Sequence, residues 1–182
     1  MKEIETRILD VDVDFIRETM LKAGAHKVKA ENQVNKIFDF PDRRLLKKSG
    51  YARVRIVEDM LNNKQFCYMT TKKIISQEKY KVMEENEVLV DNATMAENIF
   101  CSLGLELVQT VKKYRESYKY KNSLVEIDIN DKSFCPFPYI EIETENEEEL
   151  IEIVKLLGYQ MSDTTSKTIY QILKDRGIMP QI

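Results

Sequence analysis

Residues 3–8 read Glu3-Ile4-Glu5-Thr6-Arg7-Ile8. At the strand period of two, Glu3, Glu5 and Arg7 share one face, and Ile4, Thr6 and Ile8 share the other. Alone, such a segment is an edge strand showing charge to water. The pattern recurs, however. Arg53 and Arg55 alternate with Ala52, Val54 and Ile56, and Glu126 and Asp128 with Val125, Ile127 and Ile129. Glu141, Glu143 and Glu145 alternate in the same way with Ile140, Ile142 and Thr144. Strands with both signs of charge on one face and aliphatic residues on the other predict a sheet whose charged face is shared and enclosed. A one-sided solvated sheet would need more covering helices than the sequence supplies.

The 182 residues, 43% hydrophobic and 32% charged, suit one globular domain over 1–182 with a sizeable interior. A net charge of −3 argues against a nucleic-acid-binding surface but leaves room for an anion site lined by clustered Lys and Arg. No apolar run approaches the roughly 20 residues that span a bilayer, and the first residues lack an apolar signal core. A cytoplasmic protein with no membrane partner is therefore expected. Cys67, Cys101 and Cys135, an odd set without a CxxC pair, read as reduced structural thiols.

Helices are predicted over 10–25, with Phe15, Ile16, Met20 and Leu21 as the apolar stripe, over 93–103 behind an Asn92 cap, and over 146–157. A last helix is expected from a cap near Asp163 to about Arg176. Strands are predicted at about 28–40, 51–59, 66–73, 81–90, 106–120, 124–130 and 139–145, with 74–79 as a loop. The sum is an α+β protein with a closed or nearly closed antiparallel sheet.

The inward-facing candidates are the acids Glu3, Glu5, Glu85, Glu87, Glu126, Asp128, Glu141 and Glu143, and the bases Arg7, Arg53, Arg55, Lys72, Lys113 and Arg115. A mixed-charge lumen is tolerable where its charges are paired. It would hold a polyanion on its Arg and Lys residues and hard divalent cations on its carboxylates. No Gly-rich phosphate loop is present among five glycines. The single histidine, His26, has no Cys or His partner pattern. The run Arg43, Arg44, Lys47 and Lys48 reads as a solvated turn or substrate rim, and Glu147-Glu148-Glu149 as the charge of a helix N-terminus.

Taken in order, these segments resemble the CYTH superfamily, the triphosphate tunnel metalloenzymes. Glu3-x-Glu5-x-Arg7 is similar to the E-x-E-x-K signature, Phe38-Asp39-Phe40-Pro41-Asp42 to Y-F-D-T-P, and Gly50-Tyr51-Ala52-Arg53-Val54-Arg55 to G-x-x-L-R-x-R. Thr70-Thr71-Lys72, Glu84-Glu85-Asn86-Glu87 and Lys113-Tyr114-Arg115-Glu116-Ser117-Tyr118 resemble the T-x-K, E-E-x-E and K-x-R-x-x-Y strands. Glu126-Ile127-Asp128 and Tyr139-Ile140-Glu141-Ile142-Glu143 look like the closing acidic strands. The resemblance implies an eight-stranded antiparallel tunnel for a triphosphate-containing small molecule, with Mg²⁺ or Mn²⁺ as cofactor. It places Glu3, Glu5, Asp128, Glu141 and Glu143 nearest the metal, and Arg7, Arg53, Arg55, Lys72, Lys113 and Arg115 on phosphate. Glu85, Glu87 and Glu126 are further tunnel acids. Lys72, Arg7 and Lys167 are the candidate catalytic cations, Lys167-Thr168 resembling the K-[ST]-Y whose lysine caps the tunnel. Hydrolysis of a linear triphosphate is the activity expected first, class IV adenylyl cyclase activity second, and triphosphate binding without catalysis third; a homodimer is compatible with all three. Arg7 in place of the signature lysine, Met83 in place of an arginine, Cys135-Pro136-Phe137-Pro138 and Ile169 depart from the pattern.

Overall fold

The computed structural model describes residues 4–77 and 81–178. Its strands are β1 (Ile4–Leu9), β2 (His26–Asp39), β3 (Tyr51–Asp59), β4 (Lys64–Gln77), β5 (Lys81–Val90), β6 (Glu106–Tyr120), β7 (Ser123–Asn130), β8 (Tyr139–Thr144) and β9 (Thr164–Thr165). The helices are α1 (Val13–Lys22), α2 (Ala93–Ser102), α3 (Glu147–Leu156) and α4 (Ile169–Asp175). Strands pair antiparallel in the order β5-β4-β3-β2-β6-β7-β8-β1-β9, and β5 pairs with β1 as well. Eight strands thus close into the expected barrel. The free edge of β1 is shared: Ile4 lies opposite Val82 of β5, while Arg7 and Ile8 lie opposite Thr165 and Thr164 of β9.

The apolar core lies outside the barrel. Ile8, Val125, Ile127, Ile140 and Ile142 on the outer face pack against Ile16 and Met20 of α1 and Leu150, Ile153 and Val154 of α3. A second cluster sets Ala96 and Phe100 of α2 on Phe38, Ala52 and Val54, with the Phe38 and Phe100 rings 5.4 Å apart. Burying the aliphatic face against helices leaves the opposite face, with its charges, for the lumen. A third cluster of Phe134, Phe137, Tyr139, Ile172 and Leu173 brings α4 and the 131–138 segment together at one end of the barrel.

Side-chain caps set the helix starts. Asp12 accepts from the Asp14 and Phe15 amides, Asn92 from Met95, and Asn146 from Glu148 and Glu149. Three expectations are corrected. In α1 only Ile16 and Met20 are buried; Phe15 and Leu21 flank the stripe and stay half exposed. The 74–77 segment is strand, not loop, because β5 offers it an edge through an irregular register between Ile74 and Ser76. The long final helix is broken: Met161–Asp163 is a single 3₁₀ turn, Thr164–Thr165 is β9, and α4 begins only after Thr168. The hydroxyl of Thr168 and the side chain of Gln171 form a reciprocal capping box, which starts the helix there.

Candidate active site

Cross-strand register decides which charges meet. Arg53 of β3 lies opposite Thr70 of β4, which lies opposite Glu87 of β5; Tyr51, Lys72 and Glu85 form the next such row. On the other wall Arg115 faces Asp128, and Glu126, Glu141 and Arg7 run across β7, β8 and β1. Glu143 faces Glu5. The two-residue period therefore delivers both signs of charge into one lumen from seven strands.

These charges form two networks. In the first, Arg53 Nη2 lies 3.3 Å from Glu85 and 3.4 Å from Glu87, and Arg55 Nη2 donates to both oxygens of Glu87 at 2.7 and 2.8 Å. Lys72 Nζ sits 3.0 Å from Glu85. In the second, Arg115 grips Asp128 with Nε at 2.6 Å and Nη2 at 2.7 Å, bonds Glu126 through Nη1, and reaches Glu141 at 2.8 Å. Lys113 Nζ donates to Asp128 at 2.7 Å. Arg7 donates from Nε to Glu141 at 2.7 Å and from Nη2 to Glu5. Lys72, 3.9 Å from Glu5, links the two.

Arginine charge is not fully spent on these partners. Among the described residues, the Nε atoms of both Arg53 and Arg55 are buried without a hydrogen-bond partner. Burial, followed by repulsion from Arg53, lowers the pKa of Arg55 despite Glu87. Burial and then Arg115 likewise lower that of Lys113. Burial opposes the charge of Lys72 too, but Tyr51, Glu5 and Glu85 outweigh it and raise its pKa. Burial also disfavours the Asp128 carboxylate, yet Arg115 and Lys113 hold its pKa down. Two adjacent arginines with unpartnered N–H groups, in a wall where cations repel, are a preorganised seat for an anion.

The acids offer the complementary seat. Carboxylate oxygens of Glu126, Glu141 and Glu143 lie within 4.8 Å of one another, and two of the three residues are buried. Glu126 is directly opposite Glu141, and Glu143 opposite Glu5, like charges that Arg115 and Arg7 offset only from one side of the cluster. An oxygen-only donor set of this kind fits a hard divalent cation such as Mg²⁺ or Mn²⁺ and not a thiolate- or imidazole-seeking metal.

The sequence-predicted residues sort plainly. Glu5, Arg7, Arg53, Arg55, Lys72, Glu85, Glu87, Lys113, Arg115, Glu126, Asp128, Glu141 and Glu143 converge on the lumen, while Glu3 lies outside the described residues. Lys167 does not cap the tunnel with its ammonium, which pairs with Asp175 at 2.7 Å and stays exposed. Its backbone carbonyl instead accepts from Arg7 Nη1 at 2.8 Å. The reason is the short α4, which leaves 166–168 extended. Residues not anticipated are Asn35, Tyr51, Asn130 and Tyr170, which line a cavity at the α4 end together with Arg7, Arg53, Lys72 and Lys113. Asn35 and Asn130 sit on the lumen period of their strands, so the alternation that exposed the charges could have found them; Tyr170 stands one residue past the tyrosine of the K-[ST]-Y pattern, its one local signal.

A closed antiparallel barrel whose lumen is lined by paired Arg, Lys and carboxylate side chains defines a charged β-tunnel protein. The CYTH domain model matches residues 1–169, and the chain belongs to the CYTH family. No curated protein matches it. Among solved structures, the PH1012 protein of Pyrococcus horikoshii OT3 is 26% identical, with a TM-score of 0.75 over 93% of this chain and 98% of its own. A candidate adenylate cyclase from Vibrio parahaemolyticus is 16% identical, with a TM-score of 0.76 over 96% and 98%. HpAC1 from Hippeastrum, a candidate adenylyl cyclase with a dominant triphosphatase activity, is 17% identical, with a TM-score of 0.63 over 98% and 89%.

Proposed function

We propose that this protein is a divalent-metal-dependent triphosphatase that binds a linear triphosphate in its tunnel and hydrolyses the terminal phosphate. The observation that carries the reading is the pair Arg53 and Arg55, inward on one strand, each with a buried Nε that no group among the described residues satisfies. Phosphate oxygens are acceptors matched to such forks. Lys72, Lys113 and Arg115 extend the cationic track along β4 and β6. Glu126, Glu141 and Glu143, with Glu5 and Asp128 beside them, would hold Mg²⁺ or Mn²⁺. A divalent ion there supplies charge neutralisation on phosphate oxygens and a lowered pKa for water. The chain's own contribution is positioning: salt-bridged arginines cannot swing, so the phosphate chain is held in one line and charge developing on it meets fixed donors. Arg7 holds Glu5 and Glu141 in place from within the wall. The dominant triphosphatase activity of HpAC1, a protein of the same fold, supports hydrolysis as the first reading.

Product analysis with ATP and with tripolyphosphate, each with Mg²⁺ and Mn²⁺, tests it. Orthophosphate released only with a divalent ion is expected, and Glu141→Gln and Glu143→Gln should each abolish that release in a folded protein. Cyclic AMP with pyrophosphate would make the protein a class IV adenylyl cyclase instead. Binding without turnover would make it a triphosphate-binding module.

A further inference from the structure

The two ends of the tunnel differ in charge. At the far end, where β3 turns into β4, register sets Glu31 opposite Asp59 with Glu58 beside it, and Lys64 on the other side of Asp59. The near end opens between α4 and residues 41–50, the segment that leads into β3. Leu46, Ser49 and Gly50 line a cavity of about 360 Å³ there with Gln171 and Lys174 of α4, and Arg53 and Lys72 reach it from the lumen.

Cations gather at this near end. Arg44, Lys47, Lys48 and Lys174 are exposed, and among the described residues none of the four meets a carboxylate. Lys22, Lys121 and Lys167, by contrast, are each paired with one. Asp42, the one acid in residues 41–50, accepts from the Arg44 amide. The segment is also fixed in place. The Asp39 side chain, fully buried, accepts from the Phe40, Leu45 and Leu46 amides at 2.7, 3.0 and 2.8 Å. Gly50 donates its amide to the Leu45 carbonyl at 2.9 Å, and the Arg44 guanidinium lies 3.4 Å from the centre of the Phe40 ring. A buried acid thus holds a row of exposed like charges at one mouth. Such charges repel one another, so their placement favours an arriving anion.

We infer that Arg44, Lys47, Lys48 and Lys174 form a capture rim for the polyanion, and that its phosphates enter the tunnel past α4. The chain's net charge of −3 repels a triphosphate at a distance, and the acids of the far mouth add to that repulsion there. At the near mouth the rim reverses the field over about a Debye length, ~10 Å at 0.1 M salt. An anion drawn in meets Arg53 and Lys72 next, so outer and inner cations act in sequence. The rim governs uptake at low salt and takes no part in the chemistry. This inference rests on the tunnel reading proposed above; it adds the mouth of entry and four residues outside the lumen that serve it.

Calorimetry with the full chain, Mg²⁺ and inorganic tripolyphosphate tests it at about 20 mM and about 300 mM salt, where the Debye length falls from ~20 Å to ~6 Å. Lys47→Glu with Lys48→Glu reverses two rim charges, and Lys64→Glu with Lys119→Glu makes the same change of net charge at the far end. The rim variant should bind roughly tenfold more weakly than native at the lower salt and within about twofold at the higher. The far-end variant should stay within about twofold at both. Lys174→Glu, on a different element, should show the same salt-sensitive loss at about threefold. Its failure to do so overturns the rim even where the double variant melts early. Equal losses in the rim and far-end variants, no loss in the rim variant, or a loss that persists at high salt overturns the inference and leaves the tunnel reading intact. If tripolyphosphate does not bind the native protein, or binds equally well to Arg53→Ala, the tunnel reading fails first and takes this inference with it.

Discussion

The Arg7 guanidinium joins three parts of the chain, donating to Glu141 of β8, to Glu5 of its own strand and to the carbonyl of Lys167 just before α4. Its pKa is raised, since Glu141 and Glu5 outweigh the burial that would lower it. A lysine at this position would keep the charge but has no planar fork to serve three acceptors in three directions. Removing the side chain leaves buried carboxylates uncompensated. Arg7→Ala should therefore destabilise the fold by about 3–5 kcal/mol in urea unfolding at pH 7. Arg7→Lys, which restores the residue of the CYTH signature, should cost about 1–2 kcal/mol for the lost hydrogen bonds. Turnover of Arg7→Lys under saturating Mg²⁺ should stay within a few-fold of native. A large gain at unchanged affinity would show that the native arginine limits catalysis. Arg53 and Arg55 act differently, because each keeps an unspent donor: Arg→Ala at either should weaken tripolyphosphate binding by about 1–3 kcal/mol at low salt.

Strand β4 passes close to the residue that leads into β3. Gly50 immediately precedes β3, and a Cβ there would lie 2.7 Å from the backbone carbonyl oxygen of Lys72. That is a contact with main chain, so it cannot be relieved by turning a side chain. Lys72 pairs with Tyr51 in the register that follows, so the glycine sets the height of Lys72 in the lumen. Gly50→Ala is expected to cost roughly 1–3 kcal/mol of stability and to weaken tripolyphosphate binding through the displaced ammonium. Native-like melting and affinity in this variant would show that the two strands can part here at no cost.

Acid sensitivity of the whole molecule follows from the way the helices are tied to the barrel. Glu116, on the outer face of β6 and 3% exposed, accepts from Arg17 of α1 at 3.1 and 2.8 Å and from the Tyr114 and Tyr118 hydroxyls at 2.9 Å each; Lys27 lies 3.0 Å away. Burial pushes its carboxyl upward, but Arg17, Lys27 and the two tyrosines bring it from an ordinary 4.5 down to about 2. A depressed carboxyl contributes stability that is present above the unfolded value and is lost as pH falls through the folded one. The window here is pH 4.5 to 2. The contribution at neutral pH is about 3 kcal/mol at ~1.4 kcal/mol per pH unit. Glu116→Gln should therefore lower stability at pH 7 by about 2–3 kcal/mol, and its curve should converge on the native one only below about pH 2. Curves that stay parallel from pH 7 to 2 would remove Glu116 from the acid transition.

What the sequence determined by itself was the barrel and the chemistry of its wall. The period of two at Glu5 and Arg7, at Arg53 and Arg55, and at Glu141 and Glu143 is a local property of extended chain, visible without knowing which strand pairs with which. It also carries the family motifs. Tertiary structure decided the rest. Whether Lys167 enters the tunnel depends on where α4 starts, and that depends on Thr168 and Gln171 capping each other while Thr164 and Thr165 pair with β1, a partner about 160 residues away. The helical spacing of the C-terminal residues could not show this, because strand pairing overrides local propensity. Asn35, Asn130 and Tyr170 come from three distant segments and form a cavity only once β2, β7 and α4 are assembled around it. A cavity of that kind is a property of assembled walls, so no single stretch of the chain announces it.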